Sequence, residues 1–236
     1  MSDEHVRPSA FILGVTRGIG AATARTFLDH GYAVAGTHRN SAVPDGVLPF
    51  YCEASDPGSV QAAITEAAER QGLDTLIVNA GIAEQNMLIR MSDESLRRMF
   101  DVNTFGPIHA VKTALKTMLK QRRGSIVLVS SESSRTGIAG SSHYTASKAA
   151  LEGFARSVAR EYGSKGIRIN VVAPGATDTT MLAQADPEEL ARLVATIPLK
   201  RIAQPSEIAE VIRWVSESTY MTGATIPVTG GEGMGY

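Results

Sequence analysis

The chain has 236 residues, 43% hydrophobic and 20% charged, which suits one large core and excludes disorder over its bulk. Its 23 Lys and Arg against 24 Asp and Glu leave a formal net charge of -1, so no overall positive field exists to hold a nucleic-acid backbone. The lone cysteine, Cys52, rules out an intramolecular disulfide and a four-cysteine zinc site, and no metal is expected. The start, MSDEHVRPS, is acidic where a secretion signal needs a basic and then an apolar run. No apolar stretch approaches ~20 residues, so the expectation is a cytoplasmic protein with no membrane span.

Residues 1–8 are expected to form a flexible tail and 9–236 a single domain. AFILG (10–14) predicts the first strand, followed by a glycine turn and a helix from Ala21 to His30. YAVAGT (32–37) and LPFYC (48–52) predict the next two strands. The stretch 39–49 between them is too short for a helical crossover, so an irregular connection turning at Pro44, Asp45 and Gly46 is expected. A helix from Ser59 to Arg70 follows Asp56-Pro57, and TLIVNAG (75–81) predicts the fourth strand. A long helix is predicted from Ser92 to Leu119, with Ser92 as its cap and Asp93 and Glu94 in its first turn. SIVLVSS (125–131), a helix from Tyr144 to Tyr162 and IRINVVAPG (167–175) come next. Residues 176–198, with a short helical stretch from Pro187 to Ala195, form a candidate lid in which Met181 is the methionine placed to touch a substrate. A helix from Pro205 to Ser218 and the strand ATIPVTGG (224–231) complete the pattern. Val- and Ile-rich runs buried on both faces, alternating with helices, predict an α/β fold: a Rossmann-type doubly wound parallel sheet of about seven strands.

Chemistry concentrates where the strands end. Gly14-Val15-Thr16-Arg17-Gly18-Ile19-Gly20 joins the first strand to a helix, and glycines there let the backbone approach a pyrophosphate at the helix N-terminus. Arg17 lies in that turn and Arg39 just past the second strand, while residues 35–40 carry no acid for ribose hydroxyls. The pair therefore favours a ribose 2′-phosphate, each charged contact being worth ~1.5–3 kcal/mol. Tyr144 and Lys148, four apart at the start of a helix, share one face. A phenol with an ordinary pKa of ~10 needs a neighbouring cation to act as an acid/base near neutrality, and Lys148 supplies one. Ser131 ends the fifth strand, where such a sheet presents its ligands; Ser130 and Ser133 are rival hydroxyls. His143 points away from Tyr144 along the helix, Cys52 is a small buried hydrophobe, and Trp214 is expected to pack with Ile208, Val211, Ile212 and Val215.

The glycine turn, Asn79-Ala80-Gly81, Asn103 in D-V-N-T-F-G, Ser131 thirteen residues before Tyr144, Lys148, and Pro174-Gly175 together resemble the short-chain dehydrogenase/reductase family over nearly the whole chain. N-V-V-A-P-G-A-T-D-T-T-M (170–181), P-L-K-R-I-A-Q-P-S-E-I-A (198–209) and the G-G-E-G-M-G-Y end look most like its 3-oxoacyl-[acyl-carrier-protein] reductases, of the actinobacterial type serving mycolic-acid elongation. The resemblance implies reduction of a 3-oxoacyl thioester in fatty-acid or polyketide assembly, with NADPH as cofactor. Another ketone as substrate, or a catalytically silent dinucleotide-binding regulator, are the alternatives. It implies that Tyr144 donates the proton, Lys148 lowers the phenol's pKa and holds the nicotinamide ribose, Ser131 bonds the carbonyl, and Asn103 positions a relay water. It places the dinucleotide on Gly14, Thr16, Arg17, Gly18, Ile19, Gly20, Asn79, Ala80 and Gly81, with Glu53 near adenine. Pro174, Gly175, Thr177 and Thr179 fall at the carboxamide end. Arg122 and Lys165 match carrier-docking positions and are expected to form a basic rim near the cleft, and a tetramer is implied. Leu13, Val15 and Glu53 depart from the family pattern and put cofactor affinity in question.

Overall fold

The computed structural model describes residues 7–179 and 187–234. The alternation of apolar runs and helices resolves into β1 (Ser9–Leu13), α1 (Gly18–Asp29), β2 (Ala33–His38), β3 (Leu48–Tyr51), α2 (Pro57–Gln71), β4 (Thr75–Val78), α3 (Asp93–Phe100), α4 (Gly106–Gln121), β5 (Gly124–Val129), the one-turn α5 (Ser133–Thr136), α6 (Ser142–Tyr162), β6 (Ile167–Pro174), α7 (Pro187–Thr196), α8 (Pro205–Glu217) and β7 (Thr225–Val228). The seven strands form one parallel sheet in the order β3-β2-β1-β4-β5-β6-β7. Order reverses beside β1, so the crevice beyond the ends of β1 and β4 is the natural ligand site.

Alternating residues of β1 sort between two cores. Phe11 and Leu13 join Ile64, Val111 and Leu151 under α2, α4 and α6, whereas Ala10 and Ile12 join Phe27, Ile208 and Ile212 under α1 and α8. Every residue of β1 and β4 is buried, as strands covered on both faces require. Asn170, fully buried in β6, donates to Met221 O at 2.9 Å and accepts from Ala224 N at 3.1 Å, which fixes the approach to β7.

Several expectations need correction. The helix from Ser92 to Leu119 is two helices separated by a π-helical turn, Asp101–Phe105, in which Gly106 N–H reaches back to Asp101 O. Pro107 has no N–H, so the α-helical bond to the Asn103 carbonyl cannot form and the backbone widens there. Residues 7 and 8 are not loose: Arg7 Nε donates to Gly31 O at 2.6 Å, and Pro8 O accepts from Ala33 N at 2.8 Å. Trp214 is 53% exposed while Ile208, Ile212 and Val215 of the same helix are buried. The apolar stripe of α8 passes it by, because residue 214 lies about 200° around the helix from residue 212. The link from β2 to β3 contains no helix, and Val47 N–H closes its turn on Pro44 O at 3.1 Å.

Candidate active site

The end of β1 is held by backbone and side-chain groups of its neighbours. Asn79 N and Ala80 N donate to Leu13 O at 3.0 and 2.7 Å, Asn79 Nδ2 donates to Gly14 O at 2.7 Å, and Gly14 N donates to Thr37 Oγ1 at 2.8 Å. This closeness is why residues 14 and 20 are glycine. A Cβ on Gly14 would lie 2.8 Å from the Ala80 backbone, and one on Gly20 would lie 2.0 Å from Gly14 O. Arg17, exposed and extended, precedes α1 without giving it a side-chain cap, and the first turn of α1 carries no acid. Its N–H groups therefore face the crevice with no competing carboxylate, and the backbone cradle fits a pyrophosphate. Thr16, Gly18 and Ile19 are half-buried along this turn, and Thr179 closes over it with Cγ2 3.0 Å from where a Gly18 Cβ would stand. Val15 is buried against β2, where a Cβ on residue 36 would meet it at 2.7 Å.

Beyond β2, Arg39 is paired in space. Its NH1 lies 3.7 Å from Glu53 Oε2, with the side chains 60% and 37% exposed. The absence of an acid in residues 35–40 thus did not leave Arg39 without one, because β3 brings Glu53 alongside. An exposed pair of this kind contributes ~0–1 kcal/mol, less than a charged phosphate contact, so it does not prevent Arg39 from serving an anion.

On the other side of the crevice, α6 presents Tyr144 and Lys148. Lys148 is buried, and its Nζ donates to Val129 O at 2.8 Å. Burial lowers its pKa to about 8. Tyr144 responds oppositely: burial pushes its phenol up, and a hydrogen bond with Ser131 draws it part of the way back. Thus Ser131, rather than Lys148, opposes that rise in this geometry. The other serines have their own tasks, since Ser130 Oγ donates to Lys148 O at 3.1 Å and Ser133 Oγ to Ser131 Oγ at 2.9 Å. Asn103, fully buried, accepts from Ile82 N at 2.9 Å and donates through Nδ2 to Ile82 O and Ser147 Oγ at 2.9 and 3.1 Å. Its carboxamide is therefore a clamp between elements, and it reaches the Lys148 side of the site, for a Cβ on Gly81 would stand 3.3 Å from Asn103 Oδ1 and 3.2 Å from Lys148 Nζ. His143 is buried with neither ring nitrogen hydrogen-bonded among the described residues.

The far wall is the end of β6. Pro174 closes the strand, Gly175 N donates to Val228 O at 3.0 Å, and Thr177 Oγ1 donates to Gly175 O at 3.0 Å while its backbone bridges to Ala203. The near part of the expected lid is thereby tied to the segment before α8. Met181 lies outside the described residues.

A sequence model of the family described as enoyl-(acyl carrier protein) reductase matches residues 14–232. The chain belongs to the short-chain dehydrogenase/reductase family. It is 38% identical over 234 residues to the 3-oxoacyl-[acyl-carrier-protein] reductase MabA of Mycobacterium avium, covering 98% of this chain and 92% of that one. With the 3-oxoacyl-[acyl-carrier-protein] reductase FabG of Escherichia coli it shares 33% identity over 233 residues, 94% and 96% of the two chains. The ligand-free aldohexose dehydrogenase AldT of Thermoplasma acidophilum has the same fold, with a TM-score of 0.89 and 29% identity over 96% of this chain and 94% of that one.

Within this family site, the sequence reading misplaced one pair. Arg122 and Lys165 precede β5 and β6, and the backbone of Arg122 meets Gly166, where a Cβ would fall 2.3 Å from Arg122 O. They are together, but at the N-terminal ends of parallel strands whose C-terminal ends carry the site. The length of β5, ~3.3 Å per residue, separates them from Ser131, so they do not rim this chain's own cleft. Thr37, Ser147 and Glu132 were not singled out from the sequence; the signal for Thr37 and Glu132 is a hydroxyl or carboxyl near a strand end, and for Ser147 a hydroxyl beside Lys148 on α6. Cys52 is buried, and burial raises its thiol to about 11, which leaves it inert. Among the described residues, no helix is long and apolar enough to cross a membrane.

A lysine with a lowered pKa keeps its charge below that value and loses it above, so Lys148 is a cation at pH 7 and neutral by pH 10. Nitrogen-detected NMR of the lysine side chains should show one amine titrating near about 8, absent from Lys148→Met. A Lys148 that titrates with the surface lysines would contradict its burial.

Proposed function

We propose that the protein uses NADPH to reduce a 3-oxoacyl thioester to the 3-hydroxyacyl product in fatty-acid or polyketide assembly. The observation that carries this reading is the hydroxyl pair of Ser131 and Tyr144, hydrogen-bonded beside a buried Lys148 and across the crevice from a glycine cradle. The reductases MabA and FabG, to which the chain is similar, carry 3-oxoacyl reduction in their names.

NADPH fits the residues present. The turn from Gly14 to Gly20 with the start of α1 would hold its pyrophosphate, Arg17 and Arg39 its 2′-phosphate, and Glu53 would border the adenine. Asn79, Ala80 and Gly81 would line the dinucleotide, and Pro174, Gly175, Thr177 and Thr179 the carboxamide end. When bound, its nicotinamide supplies a hydride to the carbonyl carbon. The chain supplies the rest. The raised pKa of Tyr144 keeps Oη protonated at neutrality, which is the state a donor to the carbonyl oxygen needs. Ser131 Oγ holds that oxygen within reach of Oη. Lys148 Nζ spends one N–H on Val129 O and keeps two more, for a ribose hydroxyl and for the water chain that restores the phenol's proton. Asn103 keeps this floor in place through Ile82 and Ser147.

Tyr144→Phe deletes the proton without changing shape. NADPH binding should persist, while reduction of an acetoacetyl thioester, followed by loss of NADPH absorbance, should fall ~10²–10⁴-fold. Retention of turnover would remove Tyr144 from the mechanism. Reduction of aldohexoses or simple ketones in preference to the thioester would instead move the substrate class.

Cofactor preference follows from the arginines. NADPH should bind more tightly than NADH, and Arg39→Ala should weaken NADPH by roughly ten- to a hundredfold while changing NADH little. Equal dissociation constants for the two cofactors in the unmutated protein would contradict this.

We also propose that an acidic acyl carrier docks on Arg122 and Lys165. Because these lie at the end of the sheet away from their own cleft, such a carrier serves the cleft of another subunit, and a homotetramer is part of the proposal. Arg122→Glu with Lys165→Glu should raise KM for carrier-bound substrate and spare acetoacetyl-CoA, and light scattering should give a multiple of the 25.0 kDa chain. Equal losses on both substrates, or a monomer that turns over carrier-bound substrate, would refute it.

A further inference from the structure

Glu132 follows Ser131 directly, yet nothing in the reaction above uses it. Its side chain is 3% exposed, and among the described residues neither carboxyl oxygen has a hydrogen-bond partner. An ionised carboxylate there would lose its hydration without replacement. Burial accordingly raises its pKa; Arg135 opposes the rise, and Glu232 and Glu152 add to it. Burial without a partner thus disfavours the charged form of the carboxyl, and what the side chain offers here is its shape.

What it shapes is the C-terminal glycine turn. A Cβ on Gly233, which has φ +68, would fall 2.0 Å from Glu132 Oε1, so the backbone rests directly on the carboxyl. The same turn closes against the other wall of the site, where a Cβ on Gly175 would stand 3.0 Å from Thr229 Cα and 3.3 Å from Glu232 Oε2. The Glu132 main chain is itself fastened to that wall, since its N–H donates to Pro174 O at 2.9 Å. Ser131 therefore sits between a strand end and a turn that meet through Glu132.

We propose that Glu132 is a positioning residue for Ser131: its buried carboxyl seats the C-terminal glycine turn, and the seated turn clamps the Ser131 segment to the end of β6. The proposal rests on the reading of Ser131 as the hydroxyl that holds the substrate oxygen. Glu132 touches no substrate and acts by holding Ser131 opposite Tyr144.

A mutant cycle tests it, read by turnover and by amide hydrogen exchange. Glu132→Ala should lower kcat roughly ten- to a hundredfold, the scale of an ångström-sized misplacement, with the NADPH dissociation constant unchanged. Exchange should rise together in 130–137 and 229–234. Glu132→Gln, neutral and of the same shape, should restore both readouts. Gly233→Ala should also lower kcat, and combined with Glu132→Ala it should cost less than the sum of the two single losses, because the carboxyl it strikes is gone while the strain of φ +68 and the contact with Thr136 remain. If Glu132→Ala does not fold, Glu132→Met takes its place in the same cycle. Additive losses, exchange changes confined to 130–137, or equal damage from Gln and Ala would overturn the proposal. Should the unmutated protein bind NADPH and reduce no 3-oxoacyl thioester, the reading of the reaction fails, while the exchange comparison still decides whether Glu132 seats the turn.

Discussion

A reciprocal pair of hydrogen bonds between α6 and β5 sets the catalytic edge. Lys148 Nζ donates to Val129 O, and one residue further along the strand Ser130 Oγ donates to Lys148 O. One helix position is thus bolted to two consecutive residues at the end of β5, through buried hydrogen bonds. Tyr144 stands one turn before Lys148, and Ser131 one residue after Ser130. Their meeting is a consequence of the bolt. Asn103 extends the same fastening to a third element, because its clamp on Ser147 reaches the residue before Lys148. The ammonium is costly to bury, and its lowered pKa records that cost. What the fold gains is a cation held immobile beside the crevice.

The strands, their parallel arrangement and the glycine turn were legible because each is written locally. A run such as TLIVNAG is buried on both faces whatever lies beside it, and Tyr144 and Lys148 share a face by helical period alone. Features that depend on the third dimension were not legible. Arg39 has no acid within five residues, yet Glu53 comes to its side across one strand spacing. Arg122 and Lys165 were expected at the cleft because they match carrier-docking positions of the reductases that the sequence resembles; in a parallel sheet, a residue before a strand and a residue after it lie at opposite ends. The break between α3 and α4 was within reach of the sequence, since Pro107 stands four residues after Asn103. The surrounding apolar periodicity masked it.

The two ends of the crevice are built on different principles. On the side proposed for catalysis the candidate working atoms belong to side chains: Oη, Oγ and Nζ. All of these positions are filled as the family pattern requires. On the side proposed for the dinucleotide the turn offers backbone groups, with the side chains of Arg17 and Arg39 beside it, and there the chain departs from the pattern at Leu13 and Val15. Leu13 sends its side chain into the core under α2, while its carbonyl still receives Asn79 N and Ala80 N.

Val15 shows how such a departure is absorbed. Its side chain needs room that a side chain at residue 36 would fill, and residue 36 is glycine; a Cβ there would lie 2.7 Å from the valine. The missing side chain at residue 36 leaves the room that Val15 fills, and Val15 N reaches Thr37 O at 3.2 Å and Gly14 N reaches Thr37 Oγ1. In close-packed interiors an extra methyl pair without such room forces the backbone to move, at ~1–3 kcal/mol. Here the backbone carries the binding groups, and a shift would have cost the cradle its shape. Val15 of the turn and Gly36 of β2 therefore pack as one unit, and the candidate cofactor site must be judged from both residues together rather than from the turn alone.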